Sequence, residues 1–162
     1  MWKSNFIEIL KLIISIAVCQ LAGFVGSLFT TPSIPTWYAA LRKPSFNPPN
    51  SVFGPVWTTL FLLMGISAYL IWRKGVHDRY VRIALLIFIV QLLLNVLWSF
   101  LFFGLHNPSS AFVEIIILWL AILATLIAFI KISKPAGILL LPYILWVSFA
   151  AVLNFSLWKL NA

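Results

Sequence analysis

Charged side chains divide this chain into five uncharged runs, residues 12–41, 44–72, 83–113, 115–130 and 135–158. That spacing limits the possible folds more than any other feature. A helix rises about 1.5 Å per residue, so about 20 apolar residues cross the hydrocarbon layer of a bilayer. Each run, with its flanks, is long enough for one crossing, and the pattern predicts helices over 6–29, 51–73, 80–104, 109–131 and 136–158. The chain is 63% hydrophobic and 9% charged, whereas soluble domains carry about 25% charged residues. Backbone groups in lipid must be satisfied internally, and helices do this within one segment. A β-barrel would show repeated alternation over about ten residues, and these runs are continuous instead. The expected fold class is an all-α integral membrane protein. One domain, residues 1–162, forms a five-transmembrane-helix bundle with a long loop between the first and second helices. The first apolar run exceeds the roughly 7–15 residues of a signal-peptide core, so it reads as a retained span.

Lys and Arg placement orients the bundle. One side carries Lys3, Lys11, Arg73, Lys74, Arg79, Arg82, Lys131 and Lys134; the other carries Arg42, Lys43 and Lys159. The expected topology is a multi-pass protein with its N-terminus cytoplasmic and its first loop and C-terminus on the opposite side. The net charge of +8 is then a topology signal. No basic patch lies on a soluble domain, so nucleic acid is not an expected partner. Cys19 is the single cysteine, which excludes an intrachain disulfide and leaves a packing residue.

The first loop holds six of the nine prolines: Pro32, Pro35, Pro44, Pro48, Pro49 and Pro55. Proline fixes φ and biases its predecessor toward extended backbone. A long loop in a compact protein is usually functional or disordered. Stiffness, together with Trp37, Tyr38 and Phe46, favours a folded lid capping a cavity. Elsewhere connections are short, which makes sequential helices antiparallel neighbours. Pro108 and Pro135 suit the first positions of the fourth and fifth helices. Small residues recur at fourfold spacing in the first span, Ala22 with Gly26 and Gly23 with Ser27. They would pack that helix inside the bundle or form a dimer seam.

Two helical faces mix polar and aromatic residues. Gln91, Asn95, Trp98, Ser99 and Phe102 share one face of the third span. Amides in hydrocarbon are costly unless hydrogen-bonded, so that face must look inward, as interhelical glue or as a ligand-facing wall. In the fifth span Pro142, Trp146, Ala150 and Asn154 recur in steps of four, with Pro142 placed to kink the helix. The second span opens with Phe53, Trp57 and Phe61 at the same spacing. Trp57, Trp98 and Trp146 therefore read as pocket lining or core packing, and Trp2, Trp72 and Trp158 as headgroup anchors.

Catalytic arrangements are sparse. The acidic residues are Glu8, Asp78 and Glu114. Glu8 is spaced to pair with Lys11, and Asp78 to balance Arg79 or Arg82. Glu114 lies near the outer interface, within reach of water, although an intramembrane carboxylate is a functional candidate by default. His77 and His106 fall on opposite sides and cannot share a metal. No metal-ligand, nucleotide or triad motif is present.

These residues resemble the translocator protein family, also called tryptophan-rich sensory proteins or peripheral-type benzodiazepine receptors. Three stretches carry the likeness: Trp37-Tyr38-x-x-Leu41-x-Lys43-Pro44 with Pro48-Pro49 and Pro55-Val56-Trp57; Gln91-Leu92-x-Leu94-Asn95-x-x-Trp98-Ser99-x-x-Phe102-Phe103; and Pro142-Tyr143-x-x-Trp146-Val147-x-Phe149-Ala150-x-x-Leu153-Asn154. The resemblance implies a five-helix bundle, often a homodimer, whose first loop caps a cavity. It implies binding of tetrapyrroles such as protoporphyrin IX, and of isoquinoline carboxamides and benzodiazepines, with no obligatory cofactor. By motif the ligand site would use Tyr38, Pro48, Phe53, Trp57, Phe61, Asn95, Trp98, Trp146 and Ala150, with bulk at Ala150 hindering entry. Arg42 and Lys43 could meet porphyrin propionates. The sterol pattern of some members is absent, because no Lys or Arg follows Tyr143 within five residues. The function implied is transport, sensing or sequestration. The alternatives are light-dependent porphyrin degradation, reported for some bacterial relatives, with Trp57 and Trp146 as candidate redox residues, or a lipid-interacting scaffold without a small-molecule site.

Overall fold

The computed structural model describes residues 2–162, with side chains from residue 5 onward. The side chains of Trp2 and Lys3, assigned above to the membrane edge, lie outside the described residues. The elements are α1 (Trp2–Ser33), α2 (Trp37–Ala40), α3 (Asn50–Trp72), α4 (Arg79–Ser99) running into a π-helical turn (Phe100–Gly104), α5 (Pro108–Ile132), α6 (Lys134–Ile138) and α7 (Leu141–Leu160). Five segments are long and apolar enough to cross a membrane: Asn5–Ser33, Asn50–Trp72, Arg79–Gly104, Pro108–Ile132 and Lys134–Leu160. Around the bundle, α1 lies between α3 and α4, α5 between α4 and α7, and α6 closes the ring against α3.

Large apolar side chains such as Leu21, Phe24, Leu86, Leu93, Leu120 and Leu145 point outward. Polar Gln91, Asn95, Thr125 and Asn154 point inward. That inversion of the soluble pattern suits a hydrocarbon solvent. Cys19 is fully buried, as expected of a packing residue.

Element ends follow local chemistry. Asp78 caps α4, its carboxylate accepting from the Tyr80 amide at 2.7 Å. The expected balance with Arg79 or Arg82 is not what it does: the Asp78 side chain serves the helix end, where orphan N–H groups need an acceptor. Asn107 caps α5 by accepting from the Ser110 amide, and Pro108 takes the first helical position. Glu8 pairs with Lys11 at 2.8 Å and also accepts from Tyr69 at 3.2 Å, which ties α1 to α3.

Three departures from the sequence expectation bear on the site. First, α1 runs through Pro32 to Ser33 instead of ending at 29, and α2 forms inside the loop. Pro32 sits in the last turn of α1, and the Thr36 hydroxyl caps its carbonyl at 2.9 Å. Second, the fifth span is two helices broken at Leu139–Leu140, so Pro142 does not kink a continuous helix. It lies in the first turn of α7, where a missing N–H breaks no bond. Third, the third span ends in a π turn closed by Leu105 N–H to the Phe100 carbonyl at 2.8 Å. Such turns often accompany functional sites.

Candidate functional site

A cavity of 530 Å³ opens in the half of the bundle near α2. Its size falls within the roughly 300–1,000 Å³ of small-molecule pockets. Tyr38, Phe53, Trp57, Phe61, Asn95, Trp98, Trp146 and Ala150 all line it, so eight of the nine residues named from sequence converge on one space. Pro48 does not line it. Its carbonyl accepts from the Asn47 amide at 3.0 Å, and Asn47 in turn accepts the Tyr38 hydroxyl at 2.7 Å. Pro48 thus supports the residue that holds Tyr38.

The walls are built from the helices upward. On α3, steps of four bring Phe53, Trp57 and Phe61 to one side, and Trp57 packs tilted on Phe61 with centroids 5.6 Å apart. On α7, Trp146 meets Phe53 edge-on at 6.2 Å. On α4, Trp98 stacks on Phe102 at 5.2 Å. Such pairs add about 0.5–1.5 kcal/mol beyond the area they bury and fix ring orientation. Polar clamps hold the same walls. Trp98 Nε1 donates to Asn154 Oδ1 at 3.0 Å, and Asn154 Nδ2 donates to the Pro108 carbonyl at 2.8 Å. Asn95 Nδ2 donates to the Tyr143 hydroxyl at 2.9 Å, which donates to Gln91 Oε1 at 2.8 Å. Membrane interhelical bonds of this kind contribute about 0.6–2 kcal/mol each. Gln91 is therefore glue between α4 and α7, while Asn95 on the same face borders the cavity.

One polar group on the wall is left over: the buried Trp146 Nε1–H has no acceptor. An unpartnered buried donor is expensive, and here it belongs to a ring that borders empty space.

The fourth wall was not singled out in sequence. Gln20, Ala22, Gly23, Gly26, Ser27, Thr30 and Ile34 of α1 line the cavity. The small-residue spacing was the signal, read as packing inside the bundle or a dimer seam; in the structure Gly23 and Gly26 pack α1 against Phe61 of α3 and Ser99 of α4 and also border the cavity. A Cβ on Gly23 would sit 2.6 Å from the Phe61 ring, and one on Gly26 would sit 3.1 Å from Ser99 Oγ. Exposed members of the lining, including Phe24 and Thr31 on α1 and Gly54 and Thr58 on α3, mark a mouth between these two helices.

The segment between α1 and α3 is tied at several points. Trp37 lies flat on His106, centroids 4.6 Å apart and planes 14° apart. His106 holds a left-handed φ of 52°, a backbone conformation that favours glycine. Asn161 clamps Arg42, accepting from its amide at 2.9 Å and donating to its carbonyl at 3.0 Å. Lys43 donates to the Ala39 and Leu41 carbonyls and sits over the Tyr38 ring, 4.9 Å from its centroid. Burial holds the Tyr38 phenol above its ordinary pKa, with the Asn47 hydrogen bond opposing. Trp158 packs against Phe112 and Phe155 at the end of α7, under Lys159.

Glu114 departs from expectation. It does not reach water: its side chain is 5% exposed and neither oxygen has a hydrogen-bond partner. Among the described residues no three His, Cys, Asp or Glu side chains group to hold a metal ion.

Comparison with known proteins agrees with this architecture. Residues 15–159 match the TspO/MBR family. The chain is 48% identical to the tryptophan-rich protein TspO of Archaeoglobus fulgidus, over 96% of this chain and 99% of that protein. It is 44% identical to the tryptophan-rich protein TspO of Chlorobaculum tepidum, over 95% and 98%. It is also 39% identical to the translocator protein of Homo sapiens, over 88% and 85%. With five spans, an aromatic cavity and matches along nearly its whole length, the chain belongs to the TspO/MBR family.

Proposed function

We propose that this membrane protein binds tetrapyrroles such as protoporphyrin IX, and other flat hydrophobic ligands, in the cavity between α1, α3, α4 and α7, for transport, sensing or sequestration. The observation that carries the reading is the convergence of Tyr38, Phe53, Trp57, Trp98 and Trp146 on one 530 Å³ space. Aromatic faces stack on flat conjugated plates. Polar wall groups are few: the unpartnered Trp146 Nε1–H can meet an acceptor on the ligand, and Asn95 borders the same space. Names of relatives, translocator protein and tryptophan-rich sensory protein, are compatible with carriage or sensing of such a ligand. The segment from α2 to Pro49 acts as the lid, since it supplies Tyr38 to the lining. Lys43 serves that segment internally, which leaves Arg42 as its cation for a ligand carboxylate. The Lys and Arg asymmetry supports a cytoplasmic N-terminus, and a homodimer is the assembly that the family likeness suggests.

The test is a protoporphyrin IX titration of the purified protein in detergent, followed in the dark by Trp fluorescence. Saturable quenching is expected, weakened in Trp146→Ala and Tyr38→Ala. Unchanged affinity in both variants would remove the ligand from this cavity. A second reading, photo-oxidative degradation of the bound porphyrin, is favoured by Trp57 and Trp146 both lining the space. It requires protein-dependent loss of the porphyrin bands under light, slowed by Trp146→Phe.

A further inference from the structure

The segment from α2 to Pro49 has hydrogen bonds of its own. The Leu41 amide donates to the Tyr38 carbonyl at 3.3 Å, the Asn47 amide to the Pro44 carbonyl at 3.0 Å, and the Tyr38 hydroxyl to Asn47 Oδ1 at 2.7 Å. None of these fastens it to the bundle. Among the described residues, its hydrogen bonds to a part of the chain distant in sequence are the two made by Asn161, just beyond α7. Asn161 Oδ1 accepts from the Arg42 amide at 2.9 Å, and Nδ2 donates to the Arg42 carbonyl at 3.0 Å. Nδ2 also donates to the Leu157 carbonyl at 2.8 Å, among those left open at the end of a helix. Capping α7 needs that last bond alone. The pair on Arg42 goes beyond it, and one acceptor with two donors on a short side chain is what an Asn amide supplies.

This clamp ends a longer seam along α7. Phe46 meets Phe149 edge-on at 6.3 Å, and Tyr38 shares a buried cluster with Leu153 and Leu157. Ala150, Leu153 and Leu157 line the cavity, and Asn161 follows Leu157 by one helical turn without lining it. Apolar contacts are non-directional and hold the segment down without fixing its register. Two directed bonds fix it at Arg42. Arg42 and Asn161 are both exposed, so water can replace each partner when the bonds break, and the clamp can open without unfolding the bundle.

We propose that Asn161 is a positioning residue that latches the lid: its amide holds the segment from α2 to Pro49 on α7 and sets how fast a ligand enters and leaves the cavity. The latch itself is a property of the free protein. Its effect on exchange rests on the ligand-binding reading above. A latch that weakens equally in the free and occupied protein speeds entry and exit by the same factor and leaves affinity unchanged. Damage to the site would instead raise the dissociation rate alone.

Two variants of the full chain in detergent test this. Asn161→Ala removes all three bonds, and Asn161→Asp keeps the acceptor for the Arg42 amide but loses both donations. Amide exchange without ligand comes first. In Asn161→Ala the Arg42 amide should exchange about 5- to 30-fold faster, the factor expected for losing exposed hydrogen bonds, and in Asn161→Asp by less. The amides of residues 157–160 should keep their protection. Unchanged exchange at Arg42, or equal loss at 157–160, would overturn the latch and leave Asn161 as a helix cap. Stopped-flow quenching of Trp fluorescence by protoporphyrin IX then reads the rates. Association and dissociation should both rise several-fold in Asn161→Ala, with Kd within about twofold of wild type. Rates unmoved while Arg42 is deprotected would overturn the kinetic role and route the ligand through the mouth between α1 and α3. A raised Kd with unchanged association would also overturn it. If wild type shows no saturable quenching, the ligand reading fails, and the exchange of Arg42 still decides the latch.

Discussion

The two ends of this bundle use the same small residues for opposite purposes. At the end holding the N-terminus and α6, Gly65 and Gly137 bring backbones together. A Cβ on Gly65 would lie 2.6 Å from Ile16 Cα, and one on Gly137 would strike Ile130. The Ser67 hydroxyl there donates to the Ala136 carbonyl at 2.7 Å, locking α3 to α6. At the end holding α2, Gly23, Gly26 and Ala150 border a cavity of 530 Å³. What differs is the opposite surface. Backbone facing a glycine allows two helices to close, whereas Trp57 packed on Phe61, and Trp146 packed on Phe53, hold the walls apart. A small residue creates contact or space according to what its neighbours can fill.

The largest effect that would sharpen this contrast is filling the space. Ala150→Phe adds a ring where the lining includes Trp146 and Phe53. Protoporphyrin IX affinity is expected to fall by about 100-fold, roughly 2.7 kcal/mol, while the thermal midpoint changes little. A midpoint lowered as much as by a core substitution would mean that this end is packed rather than open.

Next in size is a matched pair of glycine substitutions. Gly65→Ala forces the Ile16 backbone away, and overpacking of this kind costs about 1–3 kcal/mol. Its signature is a lower unfolding temperature with ligand affinity per folded molecule unchanged. Gly23→Ala meets only the Phe61 ring, which can turn into the cavity. It should leave the unfolding temperature near wild type and weaken ligand binding several-fold. Equal losses of stability in both variants would erase the distinction between the two ends.

Much of this was legible in the sequence because lipid simplifies the code. Runs without charge gave the five spans to within a few residues, and helical spacing placed Trp57, Asn95, Trp98 and Trp146 on inward faces. Family likeness, not spacing, grouped them into one site. The α1 wall was illegible for a physical reason: small-residue spacing reports only that a helix can be approached, not what approaches it. Glu114 was misplaced toward water because depth along a helix does not specify which face is buried. The break at Leu139–Leu140 was hidden in an apolar run, since a turn inside protein leaves no polar signature there.

The attachment of the segment from α2 to Pro49, the proposed lid, supplies a smaller effect. Trp37 stacked on His106 should couple the two residues by about 0.5–1.5 kcal/mol, the range of aromatic pairs. A double-mutant cycle of Trp37→Ala and His106→Ala, read by amide exchange of residues 37–49, isolates that term. His106→Phe should restore most of the protection that His106→Ala removes. Strict additivity of the two alanine variants would mean the stack contributes nothing to the lid.

The smallest effect concerns the same segment at high pH. Burial raises the Tyr38 pKa above its ordinary 10.0, partly offset by the Asn47 hydrogen bond. In an unfolded segment the phenol would ionise near its ordinary value, so the neutral form is favoured by folding. Its contribution is fully present below about pH 10 and is lost as pH rises toward the raised value. The chain has four tyrosines, so the difference between wild-type and Tyr38→Phe tyrosinate absorbance isolates this one. Its midpoint should lie above 10, and the lid amides 37–49 should lose protection over the same interval in wild type only. Tyr38→Phe also removes the bond to Asn47, worth about 0.5–1.5 kcal/mol, so its lid should be uniformly looser but insensitive to that interval. A Tyr38 midpoint at or below the ordinary value would show a ring open to water, and would move the lid from the packed side of the comparison to the open one.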